Sequence, residues 1–170
     1  MILFTLVSFF ARNFAKLFLT FGMLISFQAY SRTTYEQILD NKPSINRSYA
    51  KRLAQEFDRA ADKYKVPANV LAGIAMAESS YVLNAVNKGS NDYGIMQVNN
   101  YNIRAYKLDK ARLLTDLSYS IDSGAMIFQW FYKTYREISV VIRRYNCGVK
   151  KSCITWKGPR FYYKKVLYYM

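Results

Sequence analysis

Val70-Leu71-Ala72-Gly73-Ile74-Ala75-Met76-Ala77-Glu78-Ser79-Ser80-Tyr81 is an apolar segment that ends on a lone acid. After a short polar stretch comes Asp92-Tyr93-Gly94-Ile95-Met96-Gln97-Val98. Leu71, Ile74, Ala75 and Glu78 recur at helical spacing, which puts Glu78 on the face that seeks a core. A carboxyl group there loses water, and lost water disfavours its charged form and raises its pKa. That is how a glutamate becomes a general acid near neutral pH. The ordinary alternative is a solvated glutamate at a helix end. The apolar face before Glu78 and the Gly-Ile-Met-Gln run after it count against that alternative.

Outward from this segment the chain reads as helices joined by polar loops. Ser48 is a candidate cap for a helix whose stripe is Leu53, Ala54, Phe57, Ala60, Ala61 and Tyr64. Pro67 suits the first turn of the next helix, which should end near Tyr81. Residues 84–92 contain Gly89, Ser90 and several asparagines and read as loop. Thr115 is a candidate cap for a long helix carrying Leu117, Ile121, Gly124, Ala125, Phe128 and Tyr132. Within it, Gly124-Ala125 predicts close contact with a neighbouring helix. Residues 137–145 and 161–169 predict two further short helices. No hairpin signal stands out, so the expected fold class is all-α, or α with a minimal β element.

The ends of the chain read differently. Lys16 precedes an uncharged run from Leu17 to Phe27, and Ala29-Tyr30-Ser31 supplies small residues where a signal peptidase cuts. Residues 1–31 are therefore expected to be a signal peptide or, if uncleaved, an N-terminal anchor, although the run is short for a membrane span. The expected location is periplasmic or exported, with inner-membrane anchoring as the alternative. Residues 32–47 are polar, include Pro43, and read as a lead-in to a domain over 48–170.

Composition excludes more than it assigns. Hydrophobic residues make up 52% and aromatics 17%, so the chain has the means to build a core. It has no histidine, which removes Ser-His-Asp and Cys-His nucleophilic systems and His-ligated zinc. No dinucleotide or phosphate-binding Gly motif is present, and no cofactor or metal is expected. Cys147 and Cys153 suit one local disulfide in an oxidising compartment, or two free thiols; their spacing does not decide. The net charge of +14 favours a polyanionic partner. With no compact Lys/Arg block and no zinc-finger or RNA-binding motif, no nucleic acid is expected. The charge reads as affinity for an anionic wall or membrane surface.

Several blocks carry a resemblance. Ala77-Glu78-Ser79-Ser80-Tyr81, Asn84-Ala85-Val86-Asn87 and Tyr93-Gly94-Ile95-Met96-Gln97-Val98-Asn99 resemble the signature of the soluble-lytic-transglycosylase-type domain, a lysozyme-like fold. Tyr145-Asn146-Cys147-Gly148 resembles that family's Tyr-Asn-x-Gly element, and Phe161-Tyr162-Tyr163-Lys164-Lys165-Val166 its C-terminal helix. The resemblance implies cleavage of peptidoglycan glycan strands between N-acetylmuramic acid and N-acetylglucosamine. Glu78 would be the acid and then the base, and the muramic C6 hydroxyl the nucleophile, giving a 1,6-anhydro sugar. Most glycosidases need two carboxyl groups, and this mechanism needs one.

By the same resemblance Ser79 orients the acid or its turn, Gly94 lets backbone approach the sugar, and Met96 and Gln97 line the cleft. Tyr145 and Asn146 shape the cleft wall, and the Tyr162 hydroxyl sits beside the acid. Cys147 replaces a small residue, Leu83 stands near a usual proline, and residues 150–158 replace the usual run before the last helix. Small members of the family imply an envelope-spanning secretion or conjugation machinery as partner. Two alternatives stand beside this reading. One is a hydrolytic muramidase of the goose-type-lysozyme kind on the same scaffold, using Glu78 with a water held by Asp92 or another acid. The other is a non-catalytic, envelope-anchored peptidoglycan-binding subunit. A basic membrane-active protein is a third, resting on charge and the apolar N-terminal stretch alone.

Overall fold

Thr33 starts the first helix by exchanging hydrogen bonds with Glu36: its hydroxyl accepts from the Glu36 amide, and its own amide donates to the Glu36 carboxylate at 2.8 Å. The computed structural model describes residues 32–170. The export signal or anchor expected over residues 1–31 lies outside the described residues. Helix α1 (Thr34–Asn41) corrects the reading of residues 32–47 as a plain lead-in. Ile38 is fully buried, and the Gln37 amide donates to the carbonyls of Asn69 and Tyr169 at 2.8 and 2.7 Å. Eight residues are too few to show a periodicity, and the partners of α1 lie far along the chain. Thr33 to Met170 form one compact unit.

Helix α2 (Arg47–Tyr64) buries Leu53, Ala54, Phe57 and Ala60, the expected stripe. Its cap is Asn46, whose side chain accepts from the Tyr49 amide at 3.1 Å, and not Ser48. Pro67 caps α3 (Ala68–Ser79), one residue outside the helix rather than in its first turn. Helix α3 is the centre of the unit and packs against α1, α2 and the last helix, α8 (Lys157–Tyr169). Only a helix as apolar as Val70-Leu71-Ala72-Gly73-Ile74-Ala75 can be surrounded in this way.

Three two-residue strands follow: β1 (Val86–Asn87), β2 (Asp92–Tyr93) and β3 (Val98–Asn99). They form an antiparallel sheet in chain order, with Val86 opposite Tyr93 and Asp92 opposite Asn99. The small sheet element allowed by the sequence is therefore present, with β1 and the start of β2 inside what reads as a loop and β3 beyond it. Two short helices, α4 (Asn100–Ala105) and α5 (Lys110–Thr115), have no counterpart in the sequence reading. Helix α6 (Leu117–Tyr135) is capped by Asp116, one residue later than the expected Thr115. The close approach at Gly124 is real, but its neighbour is not a helix. A Cβ there would lie 2.5 Å from the Met96 Cβ, so the turn after β2 fills the space.

Helix α7 (Ile138–Cys147) leads into a loop, a single 3-10 turn (Cys153–Thr155), and α8. Cys147 and Cys153 are bonded, with Cα atoms 5.9 Å apart. Inside this loop the buried Arg144 guanidinium donates to the carbonyls of Gly148, Lys150 and Lys151 at 3.2, 2.7 and 3.3 Å. The Tyr135 ring lies 4.9 Å from the same guanidinium. If α1 belongs to the core, Ile38→Ala should lower the unfolding free energy by about 2–5 kcal/mol, the range for emptying a buried aliphatic site. Urea denaturation of the two proteins measures this; a loss below the error of the method would return α1 to the status of a lead-in.

Candidate active site

Glu78 lies in the last turn of α3, at the point where the helix leaves the core. Ser80 and Tyr81, with φ of 52° and 62°, then turn the chain sharply. Two consecutive non-glycine residues in the left-handed region cost free energy, so their neighbours must hold them. Tyr81 is buried, Tyr49 Oη donates to the Tyr81 carbonyl at 3.0 Å, and Lys42 Nζ donates to the Ser80 carbonyl at 2.8 Å. The turn that presents Glu78 is thereby tied to α1's end and α2's start.

Among the described residues the carboxyl group has one hydrogen-bond partner. Tyr162 Oη, on the buried face of α8, donates to Glu78 Oε1 at 2.7 Å. Burial pushes the Glu78 pKa up to about 7. The Tyr162 hydrogen bond works against that shift, the charge of Asp92 adds to it, and Lys165 opposes it. Lys165 is held nearby, its Nζ donating to the Ala77 carbonyl at 2.5 Å. Burial, with the Glu78 charge adding to it, raises the pKa of both Tyr162 and Tyr145 well above the usual phenol value, so both stay protonated.

Ser79 joins the acid's helix to the next block. Its hydroxyl donates to the Ile95 carbonyl at 2.8 Å and approaches the Ala75 carbonyl at 3.1 Å. Tyr145 Oη donates to the Met96 carbonyl at 2.9 Å, so α7 grips the same turn from the other side. Gln97, at φ 46°, donates from its side-chain nitrogen to the carbonyls of Gly94 and Ala85 at 2.8 and 3.2 Å. Glu78, Ser79, Val86, Lys88 and Gln97 are among the residues lining an open groove of about 670 Å³. The acid therefore faces a long solvent-accessible cleft from a partly dry position.

Two residues expected at the cleft are elsewhere. Met96 is fully buried against Gly124 and belongs to the core; only its carbonyl is used near the site. Gly94 is buried at φ +80°, and a Cβ there would lie 2.4 Å from both the Leu113 carbonyl oxygen and Ser120 Oγ. Its smallness serves internal packing and a positive φ, and not the approach of a sugar. Asn146 is exposed in the last turn of α7, and its side chain makes no hydrogen bond within the described residues. Lys165 and the Ile95 carbonyl are site groups the sequence reading missed, and no local signal marks either.

The raised pKa of Glu78 has a signed consequence for stability. Between the unfolded value of 4.5 and the folded value of about 7 the folded state binds the extra proton. Stability from this group is therefore fully present below pH 4.5 and is lost as the pH rises through 7. Glu78→Gln should stabilise the protein at pH 8, by up to about 3 kcal/mol, and make little difference at pH 4. Thermal melts of both proteins across that range test the sign; a variant less stable at pH 8 than at pH 4, relative to wild type, would contradict it.

Comparison with known proteins agrees with this fold. Residues 55–161 match the family model described as the transglycosylase SLT domain. Protein IpgF of Shigella flexneri is 31% identical over 98 residues, covering 54% of this chain and 64% of the relative. Protein IpgF of Shigella sonnei is 30% identical over the same length. The chain thus spans less than two thirds of the length of the curated relatives it matches. Among solved structures, an inactive mutant of the lytic transglycosylase Slt from Pseudomonas aeruginosa superposes with a TM-score of 0.57 at 17% identity. That match covers 68% of this chain and 22% of Slt, and shows the shared fold. With the family model spanning more than half of it, the chain belongs to the transglycosylase SLT domain family.

Proposed function

We propose that this protein is a peptidoglycan lytic transglycosylase and that Glu78 is its general acid and base. The observation that carries the proposal is a single carboxyl group, poised near pH 7 and hydrogen-bonded to Tyr162, on the wall of an open groove. Protonated Glu78 gives its proton to the oxygen between N-acetylmuramic acid and N-acetylglucosamine as the C1–O bond breaks. The resulting carboxylate then takes the proton from the muramic C6 hydroxyl as O6 bonds to C1. No water is consumed, and the product is a 1,6-anhydro sugar. Because one group must give and then accept a proton, a pKa near the working pH serves both halves. The attacking hydroxyl is already part of the bound sugar, which supplies a high effective concentration.

Tyr162 fits a positioning role in this scheme, since its hydroxyl stabilises the carboxylate form of Glu78. The Gln97 nitrogen is committed to Gly94 and Ala85, which leaves its amide oxygen to accept from a sugar. Tyr145 supports the groove through the Met96 carbonyl. The hydrolytic alternative has one observation in its favour: Asp92 is near enough to raise the Glu78 pKa. Its side chain accepts from Ser90 Oγ, as a turn residue's would. The envelope is the proposed place of action, because the substrate lies there and residues 1–31 read as an export signal or anchor. A secretion or conjugation apparatus that must cross the wall is the proposed setting.

Purified protein acting on peptidoglycan should release muropeptides lighter by one water than their hydrolytic counterparts. Hydrated products only, or activity lost in Asp92→Asn, would favour the muramidase instead. Glu78→Gln should reduce cleavage at least about a hundredfold, the low end for general acid–base catalysis. Near wild-type digestion by that variant would end the assignment.

A second test addresses the last helix. Cleavage by the wild type should fall on the alkaline side with an apparent pKa near 7, where Glu78 loses its proton. Tyr162→Phe should slow turnover about tenfold and move that limb to higher pH, because the lost hydrogen bond had favoured the carboxylate. Tyr163 is half-buried on a different side of α8, near the Arg143 guanidinium, and Tyr163→Phe should leave both rate and limb unchanged. Rate–pH profiles of the three proteins decide the register.

A further inference from the structure

Helix α8 has two unlike sides. Pro159, Tyr162 and Val166 face inward, and Tyr162 reaches the acid. Lys157, Arg160 and Lys164 face outward, within roughly 60° of one another on a regular helix. Apolar groups lie between and beside them: Phe161 is 59% exposed, Tyr168 82%, and Trp156, just before the helix, 47%. Thr155, Lys157, Arg160, Phe161 and Lys164 line a shallow open cleft on this side. Lys150 adds a further cation 5.0 Å from the Trp156 ring.

No acid offsets these charges nearby in sequence. From Ile138 to Met170 the chain contains neither Asp nor Glu. Lys157, Arg160 and Lys164 take part in none of the ion pairs seen among the described residues. A largely exposed tyrosine with a half-exposed phenylalanine and tryptophan is an unusual cluster for a face that meets only water.

We propose that the outer face of α8, with Trp156 and Lys150, is a docking surface for an anionic phospholipid bilayer. A soluble polyanion would need the cations alone. A bilayer interface takes both kinds of group: lysine and arginine at the phosphates, and aromatic rings at the depth of the headgroups. The helix would lie flat, with its inner side still holding Tyr162 against Glu78. The proposal does not depend on the reading of Glu78 as a catalytic acid, and its test uses no activity.

The chain has two tryptophans, Trp130 and Trp156, so Trp130→Phe leaves Trp156 as the reporter in the full-length protein. A local reporter keeps the apolar residues near the N-terminus from dominating the readout. Vesicles of phosphatidylethanolamine and phosphatidylglycerol should shift Trp156 emission to shorter wavelength, and brominated acyl chains should quench it. Phosphatidylcholine vesicles should do neither, and high salt should weaken the effect. Combined Lys157→Glu, Arg160→Glu and Lys164→Glu should raise the lipid concentration for half-effect about tenfold or more. Should that variant melt early, Lys157→Gln with Lys164→Gln should still weaken binding. The proposal is overturned by an unmoved Trp156 on anionic vesicles, or by an equal response to phosphatidylcholine. An equal response to soluble polyphosphate or to soluble glycan fragments overturns it too, as does emission already blue-shifted without vesicles.

Discussion

Helices α3 and α8 meet along a seam that runs from Gly73 to Glu78. At one end a Cβ on Gly73 would lie 3.2 Å from the Val166 carbonyl oxygen and 3.2 Å from Met170 Cγ. At the other end the Tyr162 hydroxyl touches Glu78. The first contact bears on the second: a side chain at position 73 would press on the Val166 carbonyl and Met170, on the helix that carries Tyr162. Apart from the charge of Asp92, the partners that act on Glu78 come from this seam. It dries the carboxyl group, supplies its hydrogen-bond donor, and brings Lys165 to the Ala77 carbonyl.

Four influences, two of each sign, act on that carboxyl group, and burial is the largest. Tyr162 and Lys165 favour the charge and keep the group from becoming a permanently neutral acid. A glutamate that is only buried cannot readily release its proton, and one that is only paired cannot readily keep it. The position between these limits matters most where a second carboxylate is absent from direct contact. Around it, Ser79, Tyr145 and Gln97 all bond to backbone carbonyls of the turn following β2 or of its neighbours. The groove is thus built by side chains binding main chain, which sets its shape largely independently of what it binds.

How much of this could be read beforehand depended on range in sequence. Glu78 was legible because its helix carries its own apolar pattern, and Tyr162 because a resemblance marked its block; the structure brings the two together. The lysozyme-like, mainly helical class was legible for the same reason. Helix α1 carried one local sign, the Thr33-x-x-Glu36 capping box, but its eight residues are too few for a periodicity and its partners Asn69 and Tyr169 lie far along the chain. Met96 and Gly94 were misplaced because a motif marks which residues recur and not which atoms do the work. In Met96 the carbonyl serves the groove while the side chain fills the space beside Gly124. The small sheet was hidden by strands of two residues, below the length at which alternation can be seen.

The loop between α7 and α8 has no repeating backbone pattern apart from one 3-10 turn, yet it is not slack. Three of its carbonyl oxygens converge on the Arg144 guanidinium, much as the oxygens of a crown ether converge on a cation. Without the cation, three carbonyl dipoles aimed at one point would lose the partner that they share. The guest is a side chain of the preceding helix, so the loop is wound around a peg fixed in its own stem. The Cys147–Cys153 bond then closes the winding. Helix α8 consequently leaves this loop in a set direction, and a segment with almost no regular structure serves as the rigid elbow that aims Tyr162.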